Sequence, residues 1–141
     1  MSRYVVDANV AIKWYLPEVH DEVARRLLEN AHTLIVPDLL FSECGNILWK
    51  RVRSGQVTRE EAQAVLQSLG SLDIEVSPSL SLALPALEIA CLTNRSVYDS
   101  LYLALAIHEG TVMVTADEKF YNALLSTPMA PYLLWVEDIP A

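Results

Sequence analysis

Short apolar runs alternate along this chain with longer segments of helical period. The runs are Tyr4–Val6, Thr33–Val36, Ile74–Val76, Thr111–Val114 and Leu133–Val136. Each is β-branched or apolar and too short for a helix, so each predicts a strand. The segments between them place apolar residues three and four apart. Pro17 divides the first into a short helix through Leu16 and a second helix from about Glu18 to Ala31. Helices are predicted over Leu39–Arg53 and Thr58–Leu69, broken at Ser54-Gly55. Two more follow over Leu80–Thr93 and Val97–His108, with Pro85 in the opening turns of the former, where it can kink the helix. A last helix over Ala116–Leu125 separates the final two strands. Strands alternating with helices imply a parallel sheet covered on both faces and joined by right-handed crossovers. No repeat, linker or low-complexity stretch divides residues 1–141, so the expectation is one α/β sandwich domain.

Composition narrows the class. Hydrophobic residues make up 52% and charged ones 20% of 141 residues, enough for a packed core that buries roughly 68–70% of the unfolded surface. No apolar run reaches the roughly 20 residues a bilayer needs, and no signal peptide stands at the N-terminus, so a cytoplasmic protein with no membrane partner is expected. Cys44 and Cys91 form no CxxC pair and sit in apolar helical contexts, which reads as two buried free thiols. A net charge of −8 excludes a protein that coats nucleic acid through a broad basic face. It leaves room for a nucleic-acid enzyme whose acidic site is filled by cations.

The chemistry lies in acids with apolar neighbours. In RYVVDANV the first strand ends on Asp7, at the carboxyl end where open parallel sheets bind ligands. Asp117 follows the fourth strand in the same way, and the two can meet if those strands are neighbours. In DLLFSECGNILWKRV, Glu43 shares a helical face with Leu39, Leu40 and Ile47, while Asn46, Lys50 and Arg53 fall on the expected solvent face. Asp99 aligns likewise with Tyr102, Leu103 and Ala106. Each acid also has a local explanation. Asp7 is a good helix N-cap, Ser96 to Asp99 resembles a capping box, and Asp117 suits a first-turn acid beside the helix dipole. Glu43 has no cap role, and its local alternative is a basic partner in the core. Were the four to converge, one carboxylate pair at 4 Å would cost about 4 kcal/mol at an effective dielectric of 20. Retained protons or a bound cation would relieve it, and an oxygen-only donor set selects Mg²⁺ or Mn²⁺ over Zn²⁺.

The stretches VVDANV, VPDLLFSECGNIL, VYDSLYLALA and VTADEKFYNAL, in this order from Val5 to Leu124, resemble the PIN-domain ribonucleases, and in size and wording the VapC-type toxins of toxin–antitoxin pairs. That resemblance implies a PIN-like three-layer sandwich with a central parallel five-stranded sheet. It implies that Asp7, Glu43, Asp99 and Asp117 are catalytic and hold one or two Mg²⁺ or Mn²⁺ ions, with Asn9 and Thr115 as supporting polar groups. It further implies metal-assisted hydrolysis of RNA phosphodiesters by activated water, a cognate antitoxin and a homodimer. Glu118 is an extra acid whose other reading is a capping box with Thr115.

Substrate contact is less marked. Lys13 and Arg95 lie nearest the expected acidic cleft and are the candidates for phosphate. Arg25-Arg26 and the Lys50–Arg53 run read as solvated helix faces. Trp14, Tyr98 and Tyr102 could stack on bases, although aromatic residues at such spacing are more often core. His20, His32 and His108 show no metal-ligand spacing. The rival to an enzyme is an inactive binding module on the same sheet, against which all four acids count. A phospho-acceptor receiver domain is excluded, because Ile74-Glu75-Val76-Ser77 offers no acceptor aspartate and no lysine follows Val136.

Overall fold

The computed structural model describes residues 2–29 and 32–141. Five strands form one all-parallel sheet in the order β3-β2-β1-β4-β5: β1 Arg3–Val6, β2 Thr33–Pro37, β3 Glu75–Ser77, β4 Val112–Thr115 and β5 Leu133–Trp135. All five predicted runs are present, each within a residue or so of its expected bounds. The first strand is central, with Val5 opposite Ile35 on one side and Met113 on the other. Its Tyr4, Val5 and Val6 are all buried, as a continuous apolar run covered on both faces requires.

Among the described residues seven α-helices connect and cover the sheet: α1 Ala8–Ile12, α2 Asp21–Ala24, α3 Leu39–Arg53, α4 Arg59–Ser71, α5 Ser79–Thr93, α6 Val97–Glu109 and α7 Glu118–Leu124. The long helix expected from Glu18 is shorter than its periodicity suggested. α2 tightens into a 3-10 turn at Arg25–Leu28, and the expected end at Ala31 lies outside the described residues. Helix α5 runs past Pro85 as one element, with the proline on its exposed side. Thr58 starts α4 with a full capping box, its hydroxyl accepting the Glu61 N–H at 3.0 Å and the Glu61 carboxylate accepting its own N–H at 3.0 Å.

This strand order fixes where a site can form. From β1 the chain winds outward through β2 to β3, then returns through α5 and α6 to β4 on the other side of β1. Right-handed crossovers therefore place helices on both faces and open a crevice beyond the carboxyl ends of β1 and β4. Helix α6, with every residue from Ser100 to Ala106 buried, packs on β1, β2 and β4 and carries α5 on its outside. Among the described residues no helix is long and apolar enough to cross a membrane.

One expectation about the cysteines is corrected. Both thiols are free, but only Cys44 is buried, and Cys91 is exposed on α5. The apolar context of Cys91 belongs to a helix face that the chain itself leaves uncovered.

Candidate functional site

Asp7, Glu43 and Asp99 line one cleft of about 410 Å³ at the crevice between β1 and β4, together with Asn9 and the upper face of α3. They come from three elements: the residue after β1, the middle of α3 and the first turn of α6. Asp117, two residues beyond β4, does not line this cleft. It stands beside Asp99 and acts on it through its charge. The first and fourth strands are indeed neighbours.

The local explanations and the shared cleft prove compatible. Asp7 is the N-cap of α1, accepting the Val10 N–H through Oδ1 at 2.9 Å. Asp117 caps α7 by accepting the Phe120 N–H at 3.0 Å, so it precedes the first turn rather than sitting in it. Ser96 caps α6, its hydroxyl accepting the Asp99 N–H at 3.1 Å. Capping uses one carboxylate oxygen of Asp7 and of Asp117 and leaves the other available. Glu43 has a tyrosine partner instead of a basic one, for the phenol of Tyr102 donates to its Oε1.

Burial governs the electrostatics. Asp7 is 6% exposed, and its pKa is pushed from 3.8 up to about 7. Desolvation is the largest cause, opposed by the Val10 N–H and the Thr115 hydroxyl and reinforced by Asp99 and Glu43. Glu43 is also raised, first by burial, with the Tyr102 hydrogen bond pulling back and Asp99 adding repulsion. Asp99 is raised by burial, lowered by Ser96, raised by Asp117 and lowered by Arg95. Fully buried Thr115 ties the ends of the cluster together, since its hydroxyl accepts the Asp117 N–H at 3.1 Å and supports the Asp7 carboxylate.

The donor set is hard and oxygen-only, the chemistry that Mg²⁺ and Mn²⁺ favour. Among the described residues no three acid, histidine or cysteine side chains are drawn together as a ready-made cage. The pKa values of Asp7, Glu43 and Asp99 are raised first by burial, with repulsion between the carboxylates a smaller addition.

Several expectations about substrate contact are corrected. Lys13 lies away from the cleft, buried and ion-paired with Glu18 at 3.1 Å, and Glu18 also holds Arg51. A buried ammonium needs a carboxylate, and Glu18 supplies it. Arg95 is near the acids, as its effect on Asp99 shows, but it donates to the Lys119 carbonyl at 3.2 Å. Lys50 and Asn46, assigned to the solvent face, are solvent-exposed and yet line the cleft. Their signal was the spacing: both lie on the Glu43 face of α3, at i+3 and i+7.

Glu118 makes no capping box with Thr115, because Asp117 is the cap. It is exposed at the start of α7 beside His20, Tyr121 and Trp135, outside the cleft. Trp14 is core, its Nε1 donating to the Ala24 carbonyl at 3.0 Å, and Tyr102 is buried with only its hydroxyl put to use. Tyr98 and Tyr102 both line the cleft, and of the two only Tyr98 is exposed, at 61%.

A family model described as the PIN domain matches residues 4–123. Ribonuclease VapC3 of Pyrobaculum aerophilum is 32% identical over 119 residues, covering 83% of this chain and 91% of that protein. The crystal structure of PAE2754, also from Pyrobaculum aerophilum, matches with a TM-score of 0.70 at 27% identity, over 96% of this chain and 85% of the other. Mycobacterium tuberculosis VapC20, described as a sarcin–ricin-loop-cleaving toxin, matches in fold with a TM-score of 0.69 at 17% identity, over 86% of this chain and 95% of the other.

Proposed function

The chain belongs to the PIN-domain family, and from that premise we propose that it is a metal-dependent endoribonuclease, the toxin of a toxin–antitoxin pair. The observation that carries the reading is Asp7, a buried carboxylate pushed up to about 7 in a cleft shared with Glu43 and Asp99. An acid kept so far from its comfortable state, on which no basic group acts among the described residues, suits a site completed by a divalent cation.

Asp7, Glu43, Asp99 and Asp117 would hold Mg²⁺ or Mn²⁺. When bound, the cation supplies Lewis acidity that activates water and offsets charge developing on the phosphodiester. The chain's own groups do the positioning. Thr115 and the Val10 N–H aim the Asp7 carboxylate, Tyr102 holds Glu43, and Ser96 steadies Asp99. Asn9, on the cleft wall, would hydrogen bond a substrate oxygen. None of these steps requires a histidine base.

Two partners belong to the same reading. A nuclease toxin needs a neutralising antitoxin, and the relative named as VapC3 and the fold match described as a toxin support one here. A second copy of this chain fits the outer face of α5. There Leu80, Leu84, Leu87 and Cys91 repeat at i, i+4, i+7 and i+11, with the leucines 89%, 71% and 50% exposed. Copies carrying a net charge of −8 repel, and this stripe, flanked by the single charge of Glu88, is a face on which they can approach. The reactions expected take place in the cytoplasm, where RNA is the accessible substrate.

Purified protein freed of antitoxin should cleave RNA with Mn²⁺ or Mg²⁺ and stop in excess EDTA. Equal cleavage in EDTA sinks the metal reading. A folded wild type that cleaves no RNA with either ion leaves the binding-module alternative standing.

A further inference from the structure

The exposed part of the cleft wall is chemically lopsided. Among the described residues Lys50, on α3, is the only cation lining a cleft whose other charged groups are Asp7, Glu43 and Asp99. Among the described residues the Lys50 ammonium has neither an ion pair nor a hydrogen-bonded partner, while the side chains of its neighbours are engaged. Arg51 is held by Glu18, and Arg53 lies over the Trp49 ring at 4.6 Å. Across the cleft, on α6, Tyr98 immediately precedes Asp99 and is 61% exposed. A large ring left in water beside an acidic site costs hydrophobic free energy that a ligand surface can recover.

We propose that Lys50 and Tyr98 together grip one nucleotide of a single-stranded RNA next to the cleavage site, the ammonium on a phosphate and the ring under a base. The proposal rests on the nuclease reading and deepens it. An acidic cleft in a protein of net charge −8 repels phosphate, so a free cation on its wall has an electrostatic task that paired Lys13 cannot perform. An aromatic ring can stack only on a base already out of a helix, which directs the pair toward single strands over duplex. Stacking accepts any base, so the grip positions the strand and adds little sequence preference.

The test uses two measurements. The first is RNA cleavage kinetics with Mn²⁺. The second is fluorescence anisotropy of a labelled single-stranded oligoribonucleotide on the non-cleaving Asp99→Asn background, repeated across salt concentrations. Lys50→Ala should raise KM and Kd several-fold, with the loss falling on KM more than kcat. It should also lower the salt slope by about 0.7, the share of one single-strand phosphate, and Lys50→Arg should restore it. Tyr98→Ala should weaken single-strand binding by about 5- to 150-fold, Tyr98→Trp should retain it, and duplex affinity should not follow. Both side chains are exposed, so melting temperatures should report folded variants. If the wild type cleaves RNA and either alanine variant keeps its KM, Kd and salt slope, the pair is overturned while the nuclease stands. If the wild type cleaves nothing, the nuclease reading falls, and the anisotropy still decides whether Lys50 and Tyr98 bind RNA.

Discussion

The phenol of Tyr102 on α6 donates to Oε1 of Glu43 on α3, joining helices 59 residues apart in sequence over the rim of the sheet. Burial and the adjoining carboxylates hold the Tyr102 hydroxyl far above its usual pKa, so it remains a donor throughout the physiological range. It is also what keeps the Glu43 pKa from rising further. Tyr102→Phe should therefore leave a half-buried carboxylate without its donor, costing about 1–3 kcal/mol of stability. It should also lower affinity for Mn²⁺, read as a smaller metal-induced rise in Tm. An unchanged Mn²⁺ titration would reduce Tyr102 to a packing role.

Asp7 makes a prediction of opposite sign for stability. Its folded pKa of about 7 lies above the unfolded 3.8. Between those values the folded chain holds more protons, so the free energy of unfolding falls as pH climbs from about 4 to about 7, then levels off. Asp7→Asn keeps a good N-cap and removes the buried charge. Without metal at pH 8 the variant should be more stable by about 1–4 kcal/mol in urea unfolding. It should lose both RNA cleavage and the Mn²⁺-induced rise in Tm. A wild type no more stable at pH 5 than at pH 8, once compared with Asp7→Asn, would contradict the buried charge.

Lys13 and Lys50 should separate cleanly. Lys13→Ala leaves Glu18 to Arg51 alone and removes a buried stem, costing about 1–3 kcal/mol in denaturant midpoint with KM for RNA little altered. Lys50→Ala, at an exposed position, should shift stability by no more than about 0.5 kcal/mol. The reverse pattern would return Lys13 to the phosphate.

The uncovered stripe of α5 predicts association. Leu84→Glu should place a like charge at its centre and convert the proposed dimer to a folded monomer by light scattering, since the side chain is 71% exposed in the single chain. With the native stripe, mild oxidation should join two copies through exposed Cys91. A wild type monomeric at micromolar concentration, with no such cross-link, removes α5 as the contact.

Much of this architecture was legible in residue order. A strand announces itself by a short apolar run and a helix by apolar positions three and four apart, both properties of neighbours along the chain. The acids at strand ends and on apolar helix faces stood out for the same reason, and Asp7, Glu43 and Asp99 do reach one cleft. The cap reading of Asp7 was legible too, because it bonds to an N–H only three residues on, whereas Asp117, read as a first-turn acid, is itself the cap.

What only the tertiary structure decided is which surfaces meet. Periodicity says that a helix has an apolar face, and it is silent on whether anything covers that face. Hence Cys91 read as buried and is in water, on the same helix that leaves Leu80, Leu84 and Leu87 uncovered. Nor does it say what a polar face overlooks, so Lys50 was assigned to open solvent while it lines the cleft. Lys13 was assigned to substrate while Glu18, in turn held by Arg51, neutralises it. Local sequence sets backbone preference within a few residues. Pairing of charges and the covering of faces depend on the strand order β3-β2-β1-β4-β5, which brings together groups far apart in the chain.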